Sequence, residues 1–335
     1  MPELPEVHTT ATGLQKVLPH LSITSVWTDY DSQFHKGKSN IKDTEYFKKF
    51  KSHVVGKKIV SVGRRAKNVL IHLSSGYTIL VHMKMTGHLL YGKYVRQKGG
   101  GKETEKQKRR DEKLTAVGVW TAVDAGPLRD DPFNKWVHFV IMLSNGKSVA
   151  LSDMRKFAKV TLIETKKLGE STDLKGIGPE PLEKNFTFEK FKERLFKRPS
   201  GKIKQVLMDQ SLIAGIGNIY SDEMLWLAGI HPLSKPAAIP ENLLKKLYSA
   251  MKKVLTKGID FGGDSMSDYR NIDGVRGEFQ HKHNAYQRTA KPCRKNGCGG
   301  TISRIKVGGR NGHFCGKHQK LFTKFLIKSL IDPQN

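Results

Sequence analysis

Two groups of residues in this chain have the types and spacing for chemistry. The chain opens Met1-Pro2-Glu3-Leu4-Pro5-Glu6-Val7. Removal of Met1 leaves Pro2 a free secondary amine, a nucleophile able to attack a carbon bearing a leaving group and form an iminium ion, as Schiff-base lysines do. Glu3 and Glu6 stand three residues apart and share one face of a helix begun here. The same stretch also admits a purely structural reading, a proline after the initiator and two acids that favour a helix N-terminus through its dipole. Near the other end, Cys293-x4-Cys298-x16-Cys315-x2-His318 supplies three thiols and an imidazole in two close pairs, the donor set of a tetrahedral structural zinc. His313, two residues before Cys315, is the rival fourth ligand and reads better as a strand or phosphate-contact residue. Three cysteines crowded at one end are wrong in number and distribution for a disulfide framework, so metal is the better explanation.

Charge defines the partner. The chain has 59 Lys and Arg against 31 Asp and Glu, a net charge of +28. That excess exceeds what solubility needs and points to a polyanion, nucleic acid first and a membrane surface second. No apolar run reaches the 18 or so residues of a membrane span, and the N-terminus lacks the charged-then-apolar order of a signal peptide, so a soluble, intracellular protein is expected. A length of 335 residues, 37% of them hydrophobic, suits about two globular domains.

The elements that must position these groups follow from periodicity. Val7, Ala11, Leu14 and Val17 recur at helical spacing, so the opening forms an amphipathic helix. Residues 58–62, 68–73 and 77–82 read as strands, with Ser74-Ser75-Gly76 as a turn. A second hairpin joins 136–143 to 147–152 through Ser144-Asn145-Gly146. Between these lies 93–135, with Gly99-Gly100-Gly101 and the run Lys102 to Lys113, whose dense mixed charge predicts a mobile loop. Gly176 to Leu182 is rich in helix breakers and reads as a linker. Beyond it 188–196, 202–210, 218–228 and 241–257 carry apolar residues at helical spacing.

The most specific local pattern is Asp209-Gln-Ser-Leu-Ile-Ala-Gly215-Ile-Gly217-Asn218-Ile-Tyr220, a helix end, a glycine turn and a new helix capped at Asn218. Gly215 and Gly217 permit positive φ and let backbone N–H groups approach a phosphate at a helix N-terminus. A plain helix hairpin needing glycine for its bend is the alternative.

Taken together, Pro2-Glu3-Leu4-Pro5-Glu6-Val7 and this glycine turn resemble the formamidopyrimidine-DNA glycosylase and endonuclease VIII family. Arg64-Arg65-Ala66-Lys67 resembles the family's hairpin lysine motif, and His82-Met83-Lys84-Met85-Thr86-Gly87 its His-Leu-Gly-Met-Ser-Gly. Asp153-Met154-Arg155-Lys156-Phe157 is similar to Asp-Pro-Arg-Arg-Phe, and Gly178 to Leu182 matches the linker. Only 93–135 stands outside the match. The finger departs twice, through a first pair stretched by two residues and a histidine in place of the last cysteine.

The resemblance implies a bifunctional DNA glycosylase and abasic-site lyase of base excision repair. Pro2 attacks the anomeric carbon of an everted nucleotide, Glu3 shuttles protons, Glu6 holds the polar network and Lys67 contacts phosphate or lesion. Met85, Arg155 and Phe157 resemble the wedge that fills the vacated stack, although the two apolar residues, taken singly, read as core. Lys204, Asn218, Tyr220 and Arg310 form the phosphate clamp, Arg310 matching the family's finger arginine. The opening and the Arg-Lys-Phe block look closer to the branch excising oxidised purines, 8-oxoguanine and formamidopyrimidines, with nicking by β,δ-elimination; a loop at 262–277 caps the flipped base. An oxidised-pyrimidine enzyme resembling endonuclease VIII, or a non-catalytic zinc-containing DNA-binding protein, are the alternatives.

The fold class expected is α+β: an N-terminal helix with an antiparallel β-sandwich over 1–170, a linker over 171–185, a helix-two-turn-helix domain over 186–285 and a zinc-finger hairpin over 286–325. The expected partner is double-stranded DNA with oxidised bases or abasic sites, met by a monomer with one structural Zn2+. Location follows the DNA, cytoplasmic with the nucleoid in a bacterium and nuclear in a eukaryote.

Overall fold

The computed structural model describes residues 1–97, 118–266 and 268–324. The charged run Lys102 to Lys113 and Ser267 lie outside the described residues. The chain divides into two compact units, Met1–Lys175 with Gly258–Gln280, and Gly176–Lys257 with His281–Asn335.

The first unit begins with α1 (Leu4–Val17), β1 (Ile23–Thr28) and α2 (Thr44–Val54). Strands β2 (Ile59–Arg65), β3 (Asn68–Leu73), β4 (Tyr77–His82) and β5 (His88–Gly92) follow. A hairpin of β6 (Tyr94–Gln97) and β7 (Val119–Ala122) comes next, then β8 (Val137–Leu143), β9 (Ser148–Ser152) and β10 (Lys159–Glu164). Two antiparallel four-stranded sheets result, in the orders β1-β8-β9-β5 and β10-β4-β3-β2. Gly76 and Gly146 close hairpins in the left-handed region, at φ 76° each, where a side chain would be strained.

Alternation then selects the core. Val7, Ala11 and Leu14 of α1, Phe50 and Val54 of α2, Ile71 and Ile79 of one sheet, and Phe139, Ile141 and Leu151 of the other join a single apolar cluster. Their intervening neighbours Leu90, Val140 and Ala150 point the opposite way and pack with Tyr94, Trp120 and Ala122. Here the expectation of a mobile loop over 93–135 is corrected for its described flanks, because β6 and β7 cover that second face of the sheet. Trp27 and Trp120 meet there at 5.4 Å between ring centroids.

The second unit holds α3 (Phe188–Phe196), α4 (Ile203–Met208), α5 (Asn218–Ala228), most of α6 (Glu241–Asp260), and the hairpin β11 (Ile302–Val307) with β12 (Arg310–Cys315). Thr187 caps α3 by accepting from the Lys190 N–H, and Gly229 ends α5 at φ 73°. Asn218 is not the cap of α5: Gly217 occupies that position and Asn218 is the first helical residue. Gly215 does take a positive φ, 82°, whereas Gly217 is extended at −138°. The stretch Gly258–Gln280, contiguous in sequence with α6, belongs in space to the first unit. Among the described residues no helix is long and apolar enough to cross a membrane.

Phe139 is 1% exposed and its ring packs edge-on against Phe50 at 5.8 Å. Phe139→Ala is expected to cost about 3–5 kcal/mol through the cavity it leaves. Urea denaturation measures it, and a loss below about 1 kcal/mol would contradict this account of the core.

Candidate functional site

In the first unit the start of α1 gathers two acids just after Pro2. Pro2, Glu3 and Glu6 are all buried. One oxygen of Glu6 accepts the Glu3 N–H at 2.7 Å, and the other accepts the Asp264 N–H at 2.7 Å. The Glu6 carbonyl takes the Tyr269 hydroxyl at 3.0 Å and the Thr10 hydroxyl at 2.9 Å. Burial, with Glu6 close by, raises the Tyr269 phenol well above its ordinary value, so it stays a neutral donor. Gly263 is obligatory at this contact: at φ +87° an added Cβ would stand 2.9 Å from Glu6 Cγ. With Met1 in place the Pro2 nitrogen is an amide and no nucleophile.

Lys67 is buried in the two-residue turn between β2 and β3, where Arg65 pairs with Asn68 and Ala66 takes a φ of 52°. It lies near His82 at the end of β4. Burial, with the charges of Lys84 and Lys67, pushes the His82 imidazole down to about 3, so the ring is neutral at physiological pH. His82 lies inside a matched block, yet its burial between two lysines has no sequence signal.

Two loops carry the wedge candidates. Asp153 accepts from the Thr86 hydroxyl and from the Ala158 N–H, and Thr86 in turn accepts the Arg155 N–H at 3.2 Å. The Met83–Gly87 and Asp153–Ala158 loops are thereby tied. Met85 is half-buried; Arg155 and Phe157 are exposed and stack, with the guanidinium carbon 4.4 Å from the ring centroid. An exposed phenylalanine is not core, which removes the packing reading for Phe157. Behind it the Lys42 ammonium donates to the Lys156 carbonyl at 2.6 Å.

In the second unit the clamp candidates separate. Asn218 and Arg310 line one polar cleft of about 500 Å³ with Tyr286, Arg304 and His313. The Asn218 side-chain oxygen is buried there without a hydrogen-bond partner. Lys204 and Tyr220, the other two residues expected in the clamp, are both fully buried. The three Lys204 N–H donors are spent on the Asn218 carbonyl at 3.1 Å, the Ser221 hydroxyl at 2.9 Å and Asp222 at 2.7 Å. A buried ammonium with every donor used is an internal brace. Two acids missed by sequence reasoning organise this unit. Asp222 also receives the His313 N–H and ring nitrogen, at 2.9 and 3.0 Å. Glu223 accepts backbone N–H groups of Asn284, Ala285 and Tyr286 at 2.8 to 2.9 Å. Their signal was only a pair of acids on an otherwise apolar helix.

Cys293, Cys298, Cys315 and His318 converge with their ligand atoms all within 4.8 Å, and His313 stands apart on Asp222. Tetrahedral zinc with bonds of about 2.3 Å to sulfur separates two sulfurs by about 3.8 Å. Cys298 and Cys315 are 3.6 Å apart, and His318 Nδ1 is 3.4 Å from Cys293 and 3.8 Å from Cys298. His318 Nε2 lies 3.0 Å from the Trp226 carbonyl, which leaves Nδ1 for a metal, while burial disfavours the charged ring. At Gly300 an added Cβ would stand 2.7 Å from the Cys315 sulfur. The four residues fit a structural metal.

Below pH 6.5 the unfolded chain binds a proton at His82 that the folded chain refuses until about 3. Stability therefore falls as pH drops through that window, by up to about 1.4 kcal/mol per unit. His82→Gln is expected to flatten the pH dependence of denaturation midpoints between pH 6.5 and about 4, and an unchanged slope would refute the assignment.

Comparison with known proteins agrees with this geometry. The family model described as the formamidopyrimidine-DNA glycosylase N-terminal domain matches residues 1–160, and its H2TH domain model matches 177–270. The formamidopyrimidine-DNA glycosylase of Pelotomaculum thermopropionicum is 36% identical over 321 residues, covering 96% of this chain and all of the relative. That of Herpetosiphon aurantiacus is 35% identical, covering 94% and 98%. Among solved structures, the complex between the Lactococcus lactis Fpg and DNA containing an abasic site has a TM-score of 0.74 at 28% identity, over 95% of this chain and 99% of that one. A MutM complex with DNA containing carbocyclic 8-oxo-G has a TM-score of 0.73 at 28% identity, over 95% of this chain and all of that one. By these matches along nearly its whole length, the chain belongs to the formamidopyrimidine-DNA glycosylase family.

Proposed function

We propose that this protein, once Met1 is removed, is a bifunctional glycosylase and abasic-site lyase acting on oxidised purines in double-stranded DNA. The observation that carries the reading is the Glu6 carboxylate, which bonds both the Glu3 N–H behind Pro2 and the Asp264 N–H. A terminal amine beside an ordered pair of acids has no evident use in a binding protein. The Pro2 nitrogen attacks the sugar's anomeric carbon and gives up its proton as the base leaves protonated; the ring oxygen then departs from the same carbon with a proton delivered by Glu3, which opens the sugar and leaves an iminium ion. That cation acidifies the adjacent carbon, whose proton is lost as the 3′ phosphate departs; elimination of the 5′ phosphate follows. A free α-amine titrates at about 7.7–8.0, so a neutral fraction exists near pH 7.

Glu3 moves protons between sugar and base, and Lys67 binds the flanking phosphate or the lesion. Met85, Arg155 and Phe157 fill the gap left by the everted nucleotide. Asn218 and Arg310 grip the backbone, with Lys204 and Tyr220 behind them as support; each phosphate neutralised steepens the log–log salt dependence by about 0.9. One zinc held by Cys293, Cys298, Cys315 and His318 supplies folding energy to the hairpin that carries Arg310.

Three experiments test the reading. Processed protein incubated with 8-oxoguanine duplex and borohydride is expected to form a covalent adduct, lost on Pro2→Gly or with a blocked terminus; salt-sensitive binding without an adduct on any lesion would leave only a DNA-binding protein. Faster cleavage of thymine glycol than of 8-oxoguanine duplex would move it to the oxidised-pyrimidine class. Metal analysis is expected to find one zinc per chain, lost in Cys315→Ala together with a lower thermal midpoint and weaker DNA binding; full stability without metal would overturn the structural role.

A further inference from the structure

The described flank of the 93–135 segment does more than cover a sheet face. Its residues 127–133 lie against the 268–274 stretch of the loop that reaches Glu6, and both belong to the first unit. At Gly274, which sits at φ +78°, an added Cβ would stand 2.9 Å from the Leu128 nitrogen and the Pro127 carbonyl carbon, so backbone meets backbone. Four residues earlier the Arg270 guanidinium, itself buried, lies 5.3 Å from the centroid of the Phe133 ring. Its countercharge is Asp131, whose side chain is wholly buried. One Asp131 oxygen accepts the Phe133 N–H at 3.0 Å, and the other faces His88 at 3.6 Å.

The brace is itself rigidly held. The Asn134 side chain donates to the carbonyls of Leu128 and Arg129 at 2.7 and 3.2 Å. On the opposite side the Tyr91 N–H of β5 donates to the Ile272 carbonyl at 2.7 Å. The loop is thus gripped between β5 and residues 127–133, and its other end delivers the Asp264 N–H and the Tyr269 hydroxyl to Glu6. A buried cation placed over an aromatic face and opposite a buried carboxylate is costly to misalign, because either charge left alone in a dry site is strongly unfavourable.

We infer that residues 127–133 are a brace that sets the described part of this loop, residues 264–266 and 268–274, against the everted base, with Asp131 and Phe133 as positioning residues for base excision. The catalytic half of this statement rests on the glycosylase reading above; the positional half does not. Neither residue belongs to the set that touches the reacting atoms.

Hydrogen exchange and cleavage assays on the full chain, with Phe133→Ala and Asp131→Asn, separate the two halves. Amides of residues 264–274 are expected to exchange about tenfold faster in both variants, with amides of α3 to α5 unchanged. Excision of 8-oxoguanine is expected to fall about tenfold or more, while cleavage of duplex that already carries an abasic site, where no base has to be held, stays within about twofold. Phe133→Tyr, which keeps the ring, is expected to restore both readouts. Unchanged exchange over 264–274, accelerated exchange across the whole chain, or equal loss on base-bearing and abasic duplex would each overturn the inference. If the unaltered protein excises no base, the glycosylase reading fails while the exchange data still decide whether the brace exists.

Discussion

The fold depends on carboxylates that have left water and must find donors. A buried acid without partners costs several kcal/mol, so each one compels the chain around it to supply N–H groups at fixed positions. Glu6 draws in the Glu3 and Asp264 amides, Asp153 the Ala158 amide and the Thr86 hydroxyl, Asp222 the His313 amide and Glu223 those of residues 284–286. Within each unit these bonds join segments remote in sequence. A chain with 31 acids and 59 basic residues uses several of its few acids as internal joints, which leaves the cations to dominate the outside. A surface with that imbalance attracts a polyanion over long range.

The same economy explains the shape of the two loops that carry the wedge candidates. Lys84 and Lys156 sit in the left-handed region at φ 56° and 54°, costly for residues with side chains. Both loops are tied to Asp153 directly or through Thr86, and Lys42 secures the Lys156 carbonyl. Strain and a tie occur together in the loops that carry Met85, Arg155 and Phe157.

The β11–β12 hairpin has too little apolar material for a core of its own; around the cysteines its Ile302 packs with Trp226 of α5 and Ala285. The convergent Cys3His set is compatible with a metal cross-link in its place, and the two departures from a four-cysteine finger do not disturb the convergence of those side chains. His318 is oriented by the Trp226 carbonyl at the end of α5, and Asp222 of the same helix fixes the His313 backbone in β12. One helix thus registers both the metal site and the strand that starts at Arg310.

Much was legible in the residues alone. Local periodicity determined α1, the β2–β3–β4 meander, the β8–β9 hairpin and the helices of the second unit, because each buries one face whose spacing is written in the order of residues. Ligand types determined the metal cluster, and the opening residues together with matched blocks determined the family. Only the tertiary structure decided which charged residues are buried. Lys204 looks in sequence like any phosphate-binding lysine, and Glu223 like any surface acid, since burial depends on partners brought together by folding, 14 to 18 residues away for Lys204 and 61 or more for Glu223. Tertiary structure also decided that Gly258–Gln280 returns to the first unit, where Asp264 meets Glu6 across 258 positions, and that the described flanks of a charge-dense segment pack on a sheet face and against Gly274. Charge patterning reports how a segment meets water, whereas these placements are set by donors and countercharges that are distant in the chain and adjacent only after folding.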